Sequence, residues 1–330
     1  MNSPERERIL DLSAGFGPAC VLGAAAELDL FTRLRDEPMT AQRAAERLDA
    51  DLRGITILLD ALVALELLDK QGNTYSVPEA IAPYLVDDCP ETTLPMIRHR
   101  MVILRGWAQL AWTVRAGIPA PRPASIRGPA ADRAAFIAAM HAINAPVADQ
   151  VVATMGPLDF KHALDVGGAS GTWTIALLRA VPGAKATIFD LPDAIGQARA
   201  RFKQSEFSER VRFAAGDFYV DELPSGADFA WVSAIVHQHS RKHNRELFAK
   251  VFRALEPGGR IAIRDIVMEP SRTVPVEGAM FAINMLAGTE TGGTFTFQEF
   301  AEDLQAAGFV DARLALKTLD MNSIVIARKP

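Results

Sequence analysis

Ala163-Leu164-Asp165-Val166-Gly167-Gly168-Ala169-Ser170-Gly171 is the stretch from which the fold can be read. Four strand-like residues run into a cluster of glycines, and the helical pattern of residues 172–180 follows at once. A strand that turns through glycines into a helix is the opening unit of an α/β sheet. Its turn lies at the carboxyl edge, where such sheets bind ligands. Glycine there lets the backbone turn sharply and lets a ligand approach the main chain.

Working outward, further strands read at residues 186–189, 211–214, 227–232, 260–264 and 323–327, with helices at 172–180, 241–255 and 297–307. Alternating β and α elements predict a doubly wound, mostly parallel, Rossmann-like sheet covered on both faces. The first half reads differently. Residues 9–34 have apolar residues at helical spacing, broken near Gly15 to Pro18 and around Asp29. Residues 39–48 form a short amphipathic helix with Thr40 as N-cap. Residues 52–68 form a second, with Ile55, Leu58, Leu59, Leu62 and Leu65 on one face. Gln71-Gly72-Asn73 then turns a small hairpin. Helix, helix and hairpin outline a helical, winged-helix-like domain. The Pro-, Gly- and Ala-rich stretch 116–130 separates the halves, giving expected domains of residues 1–115 and 116–330.

Composition limits the partners. The 330 residues carry a formal net charge of -5, which counts against nonspecific nucleic-acid binding. A winged-helix DNA-binding regulator is the rival reading. Its would-be recognition helix sets Asp51, Asp60 and Glu66 against Arg53, too few cations for phosphate contacts. Cys20 and Cys89 offer neither a disulfide framework nor a metal spacing, so a cytoplasmic location is expected. The longest apolar stretch, residues 14–26, reads as too short for a bilayer, and no membrane partner is expected.

Two acidic positions sharpen the ligand. Asp190 ends the second strand, where a carboxylate accepts from a ribose diol. Asp217, in Gly216-Asp217-Phe218, follows the third strand and is placed to accept from an adenine amino group. Both point to an adenosine. A dinucleotide is disfavoured, because in either register of G-x-G-x-x-G the second and third glycines are missing (Ala169 and Thr172, or Ser170 and Trp173).

Asp165-Val166-Gly167-Gly168-x-x-Gly171, Phe189-Asp190-Leu191-Pro192 and Gly216-Asp217-Phe218 together resemble the small-molecule O-methyltransferases of the plant caffeate and bacterial polyketide type. Glu256-Pro257-Gly258-Gly259-Arg260 and Ala306-Ala307-Gly308-Phe309 extend the likeness. That resemblance implies S-adenosylmethionine as cofactor, S-adenosylhomocysteine as product, and a homodimer formed through the N-terminal domain. It implies Gly167, Gly168 and Gly171 beside the methionine part, Asp190 with Leu191 at the ribose, and Asp217 with Phe218 at the adenine. Ser233 and Asn144 complete the cofactor set, Asn144 by reaching the carboxylate. The resemblance also implies His237 as general base, Asp265 as its carboxylate partner, and an acceptor wall of Phe136, Met140, Met280, Asn284 and Met285. Phe136, Met140 and Asn144 share one helical face by their spacing.

Departures from the family pattern are local. Ala169 stands where a third glycine is frequent. Gln238 and His239 replace an aspartate and a tryptophan, and Thr294 stands where plant members carry a second acid. The expected acceptor is a small molecule with a phenolic or enolic hydroxyl. A phenol of pKa near 10 and an imidazole near 6.5 differ by roughly 5 kcal/mol, which a base acting as the methyl moves largely avoids. Carbon or nitrogen methylation on the same fold is the alternative. His237, His239, His243 and Asp265 could approach one another, but His-x-His with a third histidine on a helix is not a stringent metal spacing, and no metal is expected. Arg98, Arg100, Arg241 and Lys242 raise the expectation of an anionic group beside the acceptor.

Overall fold

Capping residues set the helices of the N-terminal half. The computed structural model describes residues 3–330, in two compact units: residues 3–105 with 122–142, and residues 106–121 with 143–330. The first unit contains α1 (Pro4–Ala14), α2 (Phe16–Glu27), α3 (Leu30–Asp36), β1 (Met39–Thr40), α4 (Ala41–Leu48), α5 (Leu52–Ala64), β2 (Asp69–Gln71), β3 (Thr74–Ser76), α6 (Ala82–Leu85) and most of α7 (Leu94–Trp107). Thr40 accepts from Arg43 N–H at 3.3 Å and Asp51 from Gly54 N–H at 2.7 Å, each satisfying an orphan donor at a helix start. The expected hairpin is present, and β1 joins it to give a sheet of order β1-β3-β2. The α5 helix stops at Ala64, not residue 68, because Glu66 takes a left-handed φ of 59°. Leu65 is therefore 38 % exposed, while Ile55, Leu59 and Leu62 are buried.

The expected break near Gly15 is present as the boundary between α1 and α2. Gly15 keeps helical dihedrals (φ -61°, ψ -13°), and Pro18 falls in the first turn of α2, where no N–H is needed. A helical run therefore spans Pro4–Glu27, 24 residues, long and apolar enough to cross a membrane by length and composition. Ile9, Leu12 and Phe16 on it are 65 %, 75 % and 62 % exposed.

The second unit holds α8 (Leu110–Ala116) and the end of α9 (Pro129–Asn144), then α10 (Ala148–Thr154), β4 (His162–Val166), α11 (Thr172–Ala180), β5 (Lys185–Asp190), α12 (Pro192–Phe202), β6 (Val211–Ala215), β7 (Ala227–Ser233), α13 (Arg241–Ala254), β8 (Leu255–Asp265), β9 (Val267–Met268), α14 (Val276–Gly288), β10 (Phe295–Thr296), α15 (Phe297–Ala306), β11 (Val310–Leu316) and β12 (Ser323–Arg328). Seven strands form one sheet of order β11-β12-β8-β7-β4-β5-β6. The β8, β7, β4, β5 and β6 strands pair in parallel, and β12 runs against both its neighbours.

Alternation along the strands feeds two cores. Leu164, Val166, Val232, Ile261 and Ile263 join Leu247, Phe248 and Phe300 on one face. Ala163, Phe229, Trp231 and Ala262 join Trp173, Leu177 and Val152 on the other. Strand order reverses between β4 and β7, so their carboxyl ends frame the crevice where open α/β sheets bind ligands.

Candidate active site

The turn after β4 is shaped by positive φ. Gly167 (φ 69°) and Gly171 (φ 75°) occupy conformations that cost an L-residue about 1–2 kcal/mol. A Cβ on Gly167 would lie 2.4 Å from Ile235 Cδ1, so this turn touches the turn that follows β7. Ala169 adopts φ 45° despite its methyl group, which is why glycine suits that place in the resembling family. Its N–H donates to Asp190 Oδ2 at 2.7 Å, and Leu191 N–H donates to Asp190 Oδ1 at 2.7 Å. Burial raises the Asp190 carboxyl above the ordinary aspartate value, against the pull of those two N–H groups.

Beneath the turn, Asp165 is 1 % exposed and accepts from Thr174 Oγ1 at 2.6 Å. Burial pushes its carboxyl up to about 7. In the sequence Asp165 is marked only as an acid in an otherwise apolar strand at the head of the glycine motif.

The turn after β7 carries His237, which is 6 % exposed. Its Nδ1 lies 2.9 and 3.0 Å from the two Asp265 carboxylate oxygens. Asp265 also accepts from His237 N–H (3.2 Å) and Ile266 N–H (2.8 Å). Its oxygens thus face the donors of two backbone N–H groups and the His237 Nδ1 edge, a contact that an Nδ1–H would satisfy. Strand parity explains the meeting. Asp265 continues the Ile261 and Ile263 face, whereas Arg264 points oppositely and stacks on Trp173, 4.3 Å from its ring.

Comparison with known proteins decides the family. A family model described as the O-methyltransferase domain matches residues 102–310, and one described as the O-methyltransferase dimerisation domain matches residues 10–86. The chain is 33 % identical over 328 residues to the tetracenomycin polyketide synthesis 8-O-methyl transferase of Streptomyces glaucescens, covering 98 % of this chain and 96 % of the relative. The chain belongs to the O-methyltransferase family. It is also 30 % identical over 310 residues to the 3-hydroxy-5-methyl-1-naphthoate 3-O-methyltransferase of Streptomyces sahachiroi, covering 92 % and 90 % of the two chains. Human N-acetylserotonin methyltransferase, solved in complex with S-adenosylmethionine, superposes with a TM-score of 0.78 at 26 % identity over 99 % of this chain and 98 % of that one.

In this O-methyltransferase, the remaining expected residues sort by environment. Gly168 lies over Asp165, and a Cβ there would meet its Oδ2 at 2.8 Å. Leu191 is 52 % exposed. Asp217 accepts from Tyr219 N–H at 2.8 Å, and the Phe218 ring packs against Tyr219 and His239. The Ser233 hydroxyl accepts from Arg264 Nη1 at 3.1 Å. Asn144 is buried at the end of α9. On α14, Met285 is buried, Met280 is 50 % exposed, and Asn284 Oδ1 accepts from Trp107 Nε1 at 3.2 Å. Phe136 and Met140 belong to the first unit, where the Phe136 ring tilts against His99 at 5.0 Å.

The three histidines of this region each face a different partner. His239 Nδ1 pairs with the Tyr219 hydroxyl and His243 Nδ1 with Ser240 Oγ, while His237 faces Asp265. Among the described residues no three His, Cys, Asp or Glu side chains gather as metal ligands. Burial, with His237 and His243 nearby, lowers His239 to about 4, so its ring is neutral.

The cationic helix start is also explained internally. Arg241 donates to Asp303 (2.8 Å) and Glu302 (2.8 Å) on α15, which outweighs an unfavourable helix dipole of a few tenths of a kcal/mol. Arg98 forks onto both Asp87 oxygens at 2.8 Å. Neither guanidinium is held out for a ligand. Lys242 is 82 % exposed and lies 4.0 Å from Glu246.

Proposed function

We propose that this protein transfers a methyl group from S-adenosylmethionine to a hydroxyl of a small aromatic or enolic acceptor, with His237 as general base. The observation that carries the reading is the buried His237–Asp265 pair on the turn after β7, in contact through Ile235 and Gly167 with the turn after β4. The residues present suit the cofactor. Asp190 offers a carboxylate at a strand end, the glycine turn packs beside it with Ala169 N–H on that carboxylate, and Asp217 with Phe218 supplies an acceptor and a ring. When bound, S-adenosylmethionine supplies an electrophilic sulfonium methyl.

The chain's own work is then positioning and proton removal. Asp265 holds Nδ1–H, and Nε2 takes the acceptor's hydroxyl proton as the oxygen attacks. Asp265 stabilises the imidazolium that forms. The names of two relatives, a polyketide-synthesis 8-O-methyl transferase and a hydroxynaphthoate 3-O-methyltransferase, support a phenol here. The dimerisation-domain match and the exposed Ile9, Leu12 and Phe16 support a homodimer.

The test is methyl transfer to a panel of 1-naphthol, 3-hydroxy-2-naphthoate and acetylacetone by wild type, His237→Ala and Asp265→Ala. Calorimetry with S-adenosylhomocysteine runs beside it. Both variants are expected to keep cofactor affinity and lose turnover, by about 100-fold or more. Full turnover by His237→Ala would remove the base. Transfer to an amine or carbon acceptor alone would move the protein to the alternative chemistry.

A further inference from the structure

A hydrogen bond at Nδ1 fixes one point of an imidazole. The ring can still swing about the line to its partner, carrying Nε2 away from an acceptor. The plant-type second acid that the resemblance would place near residue 294 is absent. Thr294 is buried there, and its carbonyl accepts from Arg272 Nη1 at 2.6 Å.

We propose that Phe281 and Gly292 are positioning residues for His237, acting together as a frame opposite Asp265. The proposal rests on His237 being the base. Phe281, on α14, meets the imidazole edge-on, with centroids 4.8 Å apart and planes at 89°. That perpendicular ring blocks the swing which the Asp265 bond permits.

Gly292 acts on the backbone. Gly293 N–H donates to the His237 carbonyl at 2.9 Å. A Cβ on Gly292 would lie 2.5 Å from that carbonyl oxygen and 3.0 Å from Gln238 C. Both are main-chain atoms, so any larger residue must push the turn carrying the base. Thr289 ties this loop to α14 by accepting from Gly292 N–H (2.9 Å) and donating to the Met285 carbonyl (2.7 Å). The helix in turn sits close on the strand beyond Asp265, since a Cβ on Gly278 would meet Met268 Sδ at 2.3 Å and Ile266 Cγ2 at 3.2 Å. One continuous segment thus links the carboxylate's strand to both sides of the base. Nε2 is the ring atom left for the acceptor.

The direct readout is ¹⁵N NMR of histidine-labelled protein with S-adenosylhomocysteine, for wild type, Phe281→Leu, Phe281→Tyr and Gly292→Ala. The Asp265 bond keeps the proton on Nδ1 in all four proteins; wild type and Phe281→Tyr should show one sharp His237 Nε2 signal, and Phe281→Leu and Gly292→Ala a shifted, broadened or doubled one. In methyl transfer to the best phenol of the panel, Phe281→Leu and Gly292→Ala should lose about tenfold or more in kcat, since small misplacements near reacting atoms are costly. Cofactor Kd should not change, and Phe281→Tyr should stay near wild type. Should Gly292→Ala fail to fold, the contrast between the two Phe281 variants decides. Unchanged histidine signals and kcat in Phe281→Leu would overturn the proposal while leaving the base intact. Full activity in His237→Ala would overturn both.

Discussion

Asp165→Asn tests how the glycine turn is supported. Asp165 is 1 % exposed, receives one side-chain hydrogen bond, from Thr174 Oγ1 at 2.6 Å, and lies against Gly168. Burial is the first cause that lifts its carboxyl from 3.8 to about 7, and the neighbouring charge of Asp190 adds to it. The native state therefore holds a proton on Asp165 across a pH range in which the unfolded chain has released it. Stability from this group is fully present below the unfolded value and is lost as pH rises from about 4 to about 7. At 1.36 kcal/mol for each pH unit, that interval corresponds to about 4 kcal/mol. Asparagine is neutral at every pH and can still accept from Thr174. Urea denaturation of both proteins at intervals from pH 4 to pH 8 isolates the contribution, because all other titrations largely cancel in the difference. The variant should gain on wild type steadily as pH rises, by about 3–4 kcal/mol in all. Parallel stability curves would refute the claim that a buried neutral acid underlies the turn.

Further expectations concern the turn and the N-terminal unit. Asp190→Ala removes the acceptor of Ala169 N–H and Leu191 N–H along with the carboxylate proposed to meet the ribose, and should weaken S-adenosylhomocysteine binding about 100-fold by calorimetry. Wild-type affinity in that variant would exclude the site. Ala169→Gly relieves φ 45° at the cost of unfolded-state freedom, and should raise stability by up to about 1 kcal/mol without lowering cofactor affinity. A clear loss of stability would show that the alanine is not strained. Leu12→Asp with Phe16→Asp places two charges on the exposed face of α1 and α2 and should yield monomers by light scattering, whereas an unchanged dimer mass would put the interface elsewhere.

Much of the second unit was legible because period and punctuation agree there. The apolar run at residues 163–166, its glycines and the helix after Gly171 each point to the same βα turn. His237 and Asp265 were legible through family likeness, and strand parity gives the physical reason they meet. What stayed hidden depends on contacts distant in sequence. β11 is an edge strand with register shifts and a left-handed Asp311, so its alternation is broken. Arg241 reads as an isolated cation until α15 brings Asp303 and Glu302 to it. Phe281 reads as one more apolar residue of α14, since nothing local marks the imidazole it will face. Gly15 marks the boundary between α1 and α2 while keeping helical dihedrals, because a glycine tolerates these as readily as it tolerates a turn.

A crystal structure of the protein with S-adenosylhomocysteine and a phenol probes the reading most closely. The sulfur should lie over the Gly167 turn, the ribose hydroxyls on Asp190, and the phenol oxygen between the sulfur and His237 Nε2. An adenosine bound elsewhere, or a sulfur pointing away from that imidazole, would contradict it.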